Sequence, residues 1–190
     1  MSDFQLWLST GFEHILDLKG YDHIAFVVAL TVMCVWSDWK HLLIQITAFT
    51  IGHSLTLALS VMNVIQIQQS LIELLIPITI LLTALNNIWS IKNTRANQQL
   101  NFVMAAGFGL IHGLGFSYLL KAMLGKEESI IKPLFAFNLG IELGQLLIVA
   151  SVLTLGLFLT RFLKISVKNW QLFASFAVLM VSIYLLVQRI

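Results

Sequence analysis

The residues of this sequence best suited to chemistry are histidines and carboxylates set inside apolar runs: Asp22 and His23, His53, His112 and Glu142, with His14 a little upstream. Imidazole nitrogens and carboxylate oxygens, with no thiolate among them, form a borderline-to-hard donor set. Such a set suits Ni²⁺, Co²⁺, Zn²⁺, Cu²⁺, Fe²⁺ or Mn²⁺. An ionisable side chain at membrane depth costs about 2.5 to 3.5 kcal/mol on insertion scales, so each one asks for a reason. The same histidines and Glu142 can also carry protons.

Further polar groups accompany them at helical spacing. Asn138, Glu142 and Gln145 stand at i, i+4 and i+7, while Gly140 and Gly144 form a GxxxG on roughly the opposite face. Thr50, His53 and Ser54 make a polar patch in an otherwise apolar run. Ala105, Gly109 and Gly113 give a small-residue ridge, and Gly107 and Gly115 thin the helix further around His112. Two segments echo one another: Phe49 to Leu55 and Phe108 to Leu114 share Phe, His and Leu at the same offsets. Three identities in seven do not establish a repeat.

The elements that position these residues follow from composition. Of the 190 residues, 58% are apolar and only 11% charged, against roughly 25% charged in a soluble domain, and mean hydropathy is +0.90. Apolar runs bounded by polar punctuation predict six transmembrane spans, at about 20–36, 41–62, 71–91, 100–124, 133–160 and 170–188. Continuous apolar runs require helices, because barrel strands would alternate over ~10 residues. The expected fold is all-α, one polytopic bundle over residues 1–190. No length remains for a soluble catalytic domain, and no phosphate loop or basic stripe points to nucleic acid. The single Cys34 excludes a disulfide framework within the chain.

Local signals set several boundaries. Thr10-Gly11-Phe12-Glu13 reads as a capping box opening a short helix that carries His14, which Lys19-Gly20 interrupts; this segment is expected to be interfacial or re-entrant. Ser37-Asp38 can cap the second span, and Pro133 suits the first turn of the fifth. At ~1.5 Å per residue, His53, His112 and Glu142 each lie about nine or ten residues, ~13 to 15 Å, below one face. That level is near the middle of a ~30 Å core. Asp22 and His23 are expected nearer the surface, above the others, with His14 folded back toward them. Glu73 and Asp38 read as solvated helix-start charges, His41 as interfacial, and Asn86 and Asn87 as interhelical hydrogen-bonding groups.

Lys40, Lys92, Arg95, Arg161, Lys164 and Lys168 fall on one side of the membrane, against Lys19, Lys121, Lys126, Lys132 and Arg189 on the other, where Glu127 and Glu128 also sit. This balance favours both termini outside.

At these motifs the chain resembles the HupE/UreJ family of small integral membrane proteins, associated with nickel and cobalt permeation and with hydrogenase and urease maturation. The resemblance covers most of the chain. It rests on Gly11-Phe12-Glu13-His14-Ile15 with Gly20-Tyr21-Asp22-His23, on Gly52-His53-Ser54-Leu55-Thr56, on Phe108 to Phe116, and on Phe137 to Gln145. Nickel permeases of the family carry a His, five residues and then Asp-His, with two histidines and a Glu in one later motif. Here seven residues separate His14 from Asp22, and only His112 occupies the later position, so the sequence is similar to a divergent branch. Asp22, His23 and His112 carry over by position; His53 and Glu142 are added by depth. The resemblance implies a bacterial inner-membrane protein in contact with lipid and a divalent metal, nickel or cobalt before zinc or copper, and possible homo-oligomers through the small-residue ridges.

Three functions fit these residues. The first is a secondary or potential-driven metal permease, since a divalent cation moving inward down 100 mV gains ~4.6 kcal/mol, at ~2.3 per charge. The second is an intramembrane zinc-dependent hydrolase with Ser54 or Glu142 assisting, although no G-x-S-x-G elbow is present. The third is an accessory membrane protein that binds metal without moving it.

Overall fold

Long apolar runs broken by short polar connectors fold here as helices. The computed structural model describes residues 2–18, 20–93, 98–124 and 130–189, and among these there are seven α-helices and no strand. They are α1 (Asp3–Leu16), α2 (Tyr21–Thr31), α3 (Trp39–Val61), α4 (Gln69–Asn93), α5 (Gln98–Leu124), α6 (Ile131–Arg161) and α7 (Val167–Val187), with one 3-10 turn at Trp36–Asp38 before α3. The charges of Lys19, Arg95, Lys126, Glu127 and Glu128, and the side chain of Lys92, lie outside the described residues.

Five helices, α3 to α7, are long and apolar enough to cross a membrane. This makes the protein a multi-pass helical membrane protein. The expected span at 20–36 is corrected: its helix is α2, 11 residues long, about 16 Å at ~1.5 Å per residue and too short to cross a ~30 Å core alone. Helix α1, the short N-terminal helix expected from the sequence, precedes it. It begins earlier than expected, at a capping box in which Ser2 Oγ accepts the Gln5 N–H at 3.3 Å and Gln5 Oε1 accepts the Ser2 N–H at 3.0 Å. Thr10 opens no helix; its hydroxyl donates to the Leu6 carbonyl inside one already formed. Ser37-Asp38 lies within the 3-10 turn, where Asp38 Oδ2 accepts the Val35 N–H at 2.9 Å and makes no side-chain cap for α3. Pro133 sits in the first turn of α6, as expected.

Two glycine-mediated contacts fix the frame. A Cβ on Gly140 would overlap the Leu8 carbonyl, one on Gly144 the Ile15 side chain, and one on Gly11 the Phe137 carbonyl, so α1 lies directly against α6 and runs parallel to it. Gly109 likewise meets the Phe49 backbone, Gly113 the His53 carbonyl, and Gly52 the Ala106 carbonyl. Thus α3 and α5 are parallel neighbours, and the two echoing segments lie side by side with Phe49 and His53 one residue out of step with Phe108 and His112.

Helix α1 ends level with Gly144, while the end of α2 shares a cavity with Val152, Leu153 and Gly156 of α6. The two short helices therefore follow one another along α6. The break between them, capped by Gly20, falls about halfway along that helix.

Candidate metal centre

The break between α1 and α2 places a histidine on each side of it. His14 stands in the last turn of α1 and His23 in the first turn of α2, with ring centroids 4.6 Å apart. Helix α3 brings His53 to the same point, its backbone pressed against Gly113 of α5. One nitrogen from each of His14, His23 and His53 lies within 4.8 Å of the others. Three imidazoles at that separation can converge on one ion, since metal–nitrogen bonds are about 2.0 to 2.1 Å.

The polar atoms of this cluster lack partners. Both nitrogens of His53, Nε2 of His14 and of His23, and Nδ1 of His112 are buried without a hydrogen bond among the described residues. Such groups are uncommon, because an unpaired buried polar atom costs about 1 to 3 kcal/mol. His53 and His112 are each only 1% exposed. Phe116 closes the cluster from one side, its ring 4.0 Å from His14 and stacked on Phe137.

Two further predicted residues border the three. Asp22 Oδ1 lies 2.8 Å from His23 Nδ1, a close charge contact without hydrogen-bond alignment, and accepts the His23 backbone N–H at 2.8 Å. His112 has its ring centroid 5.3 Å from that of His23. Its Nε2 is 3.2 Å from Thr79 Oγ1, and that hydroxyl donates its single hydrogen to the Ile76 carbonyl at 2.7 Å. The hydroxyl can therefore only accept from Nε2–H. This leaves the Nδ1 lone pair of His112 available, the arrangement by which a ligand histidine is commonly oriented.

Within the cluster the structure departs from the sequence-based picture in one place: His23 is inside it and 8% exposed, not above it. His14 is folded back toward His23, as expected, and is one of the three convergent imidazoles.

Glu142 is outside this group. Its Oε1 accepts the Thr47 hydroxyl at 2.8 Å, and Gln145 Oε1 accepts the Thr50 hydroxyl at 3.0 Å. These pairs form a polar seam between α3 and α6, adjoining His53 at Asn138, whose Oδ1 is also unpartnered. Ser54 donates to the Thr50 carbonyl at 2.6 Å and takes no part in the cluster. Depth alone grouped Glu142 with the histidines, but its azimuth on α6 turns it to Thr47.

A cavity of about 150 Å³ leads to the cluster, lined by His14, Asp22, His23 and His112 at depth and by Gln69, Glu73 and Arg189 at its mouth. Glu73 is a partly exposed charge near the start of α4, as expected, and it has partners: its Oε2 pairs with Arg189 at 2.7 Å, and its Oε1 accepts from Gln69 at 3.0 Å. No sequence signal could find this pair, since its members are 116 residues apart. Asn87 behaves as expected, donating to the Ala29 carbonyl at 2.7 Å, and His41 is exposed at the start of α3.

Fold and site together define a multi-pass helical membrane protein with a buried histidine cluster at a broken helix. The family described as HupE / UreJ protein matches residues 1–189, and the chain belongs to that family. No curated protein and no solved structure matches it.

Proposed function

We propose that this protein is a membrane permease for a divalent transition-metal cation, which it binds at His14, His23 and His53 with Asp22 and His112 beside them. One observation carries the reading: three mutually close imidazoles at a helix break, their buried nitrogens unpartnered, at the end of a cavity that opens to one face. An all-imidazole set bordered by a carboxylate suits Ni²⁺, Co²⁺, Zn²⁺ or Cu²⁺, and the family's association with nickel and cobalt favours those two as cargo. The seam of Asn138, Gln145, Thr50, Thr47 and Glu142 offers oxygens beyond the cluster, toward the face opposite the cavity mouth. Glu142 serves there in transit or proton coupling. The lysine and arginine balance supports both termini outside the bacterial inner membrane. In that orientation the cavity faces outward and supports uptake.

Three histidines with an open fourth position also describe a hydrolytic zinc site. Ser54 and Glu142, the groups that would assist catalysis, are both engaged elsewhere, which favours transport.

The test is uptake of Ni²⁺, Co²⁺, Zn²⁺, Cu²⁺, Fe²⁺ and Mn²⁺ into proteoliposomes under an inward-negative potential. Saturable uptake of one or two ions, lost in His53→Ala, is the expected result. Bound metal with no ion movement would overturn the permease reading and direct assays to lipid and peptide hydrolysis.

A further inference from the structure

The mouth of the histidine cavity already holds a cation, the guanidinium of Arg189. It sits 2.7 Å from Glu73 Oε2, on a cavity whose other carboxylate, among the described residues, is that of Asp22. Three features make this place suited to a positive charge. Glu73 is held by two partners at once, since Gln69 Nε2 donates to its other oxygen at 3.0 Å. Pro77 sits inside α4 at the cavity wall and has no N–H to donate to the Glu73 carbonyl one turn earlier, which leaves that oxygen without its helical donor. Below the mouth lie imidazoles and, among the described residues, no further lysine or arginine side chain.

We infer that Glu73 is an outer binding site for the incoming divalent cation, and that Arg189, from the end of α7, occupies it as a tethered competitor. An ion reaching the mouth displaces the guanidinium from Glu73 and then passes to His23 and His14. Arg189 resets the mouth once the ion has moved inward. An attached cation of single charge excludes monovalent ions from Glu73, while a divalent ion competes with it. This inference rests on the metal reading of the histidine cluster and adds the access step to it.

The charges give a test that separates this role from a strut joining α4 and α7. Counting the described lining residues with uncharged imidazoles, two carboxylates and one guanidinium give the mouth one net negative charge. Arg189→Gln makes it more negative, Glu73→Gln makes it neutral, and the double variant restores the original balance. Association of Co²⁺ alone with the purified full chain in nanodiscs is followed by stopped-flow ligand-field absorption, with thermal melting of each variant alongside. The association rate is expected to rise about tenfold in Arg189→Gln, to fall about tenfold in Glu73→Gln, and to return to within about twofold of wild type in the double variant, all at low salt. Arg189→Lys, which keeps the charge, should stay close to wild type. Single variants that change the rate in the same direction, or a double variant no nearer wild type than either single one, would overturn the outer site while leaving the histidine centre standing. Absence of Co²⁺ binding to the wild-type protein would remove the histidine centre, and the outer site with it.

Discussion

Two groups of buried polar side chains meet inside this bundle, and they differ in how their hydrogen-bonding capacity is spent. Along the α3–α6 seam, Thr47 donates to Glu142 Oε1 and Thr50 to Gln145 Oε1, hydroxyl to oxygen. At the α1–α2 break, four histidines gather with most of their ring nitrogens unpartnered. Both sets are taken out of water; the first is compensated in part within the chain, with Gln145 Nε2 and Asn138 Oδ1 left over, and the second much less. An unpaired buried donor or acceptor is costly, so the second group is the stronger candidate for a partner from outside the chain. The degree of hydrogen-bond satisfaction therefore distinguishes the seam from the candidate metal centre, where residue type and depth do not.

The largest contrast between the two regions should appear in paired substitutions. His23→Ala is expected to weaken Co²⁺ binding by more than the roughly 10- to 100-fold that loss of an outer-sphere partner costs, without lowering the melting temperature of the apo protein. Isothermal titration and a thermal melt read both quantities. In the seam the signs reverse. Thr50→Val should leave Co²⁺ affinity within about twofold but destabilise the fold by about 1 to 3 kcal/mol, because Gln145 then has neither end satisfied. If Thr50→Val abolished metal binding at unchanged stability, the division between the two regions would fail.

A smaller effect sharpens the packing side of the comparison. On α5, Gly109 abuts the Phe49 backbone, while a Cβ at Gly107 meets nothing within 4 Å. Gly107→Ala should therefore be neutral or stabilising by up to about 1 kcal/mol through its helix preference. Gly109→Ala must push α3 and α5 apart, and with them His53 from the cluster, so it should lower both stability and metal affinity in equilibrium unfolding and titration.

Much of the fold was legible because a bilayer imposes its requirement residue by residue. The five long spans follow from apolar length alone, within a few residues at each end, and the small-residue ridges at Gly109 and Gly113 and at Gly140 and Gly144 mark true close approaches. Lys19-Gly20 marked the break between α1 and α2, but hydropathy gave no hint that α2 is so short or that α1 lies in line with it along α6. Helix α1 carries Asp3, Glu13 and His14 and looks too polar to be inserted. It is accommodated by its contact with α6 through Gly11, Gly140 and Gly144, a property of two distant segments together. For the same reason the site was only half legible. His53 and His112 were found by depth, and Asp22 and His23 by motif. His14 as a central member, Glu142 as a seam residue and the Glu73–Arg189 pair depend on helix azimuth and on which helices neighbour one another, and neither is encoded in a linear apolar pattern.

The central claim is that the three histidines around the α1–α2 break, rather than depth alone, define the metal centre. Its most direct test is Co²⁺ titration with X-ray absorption of the bound ion, comparing wild type, His14→Ala and Glu142→Gln. The account expects at least three imidazole ligands in wild type, one fewer in His14→Ala with affinity reduced by more than roughly 100-fold, and an unchanged coordination sphere in Glu142→Gln. An ion that keeps its ligands without His14, or loses an oxygen ligand without Glu142, would contradict it.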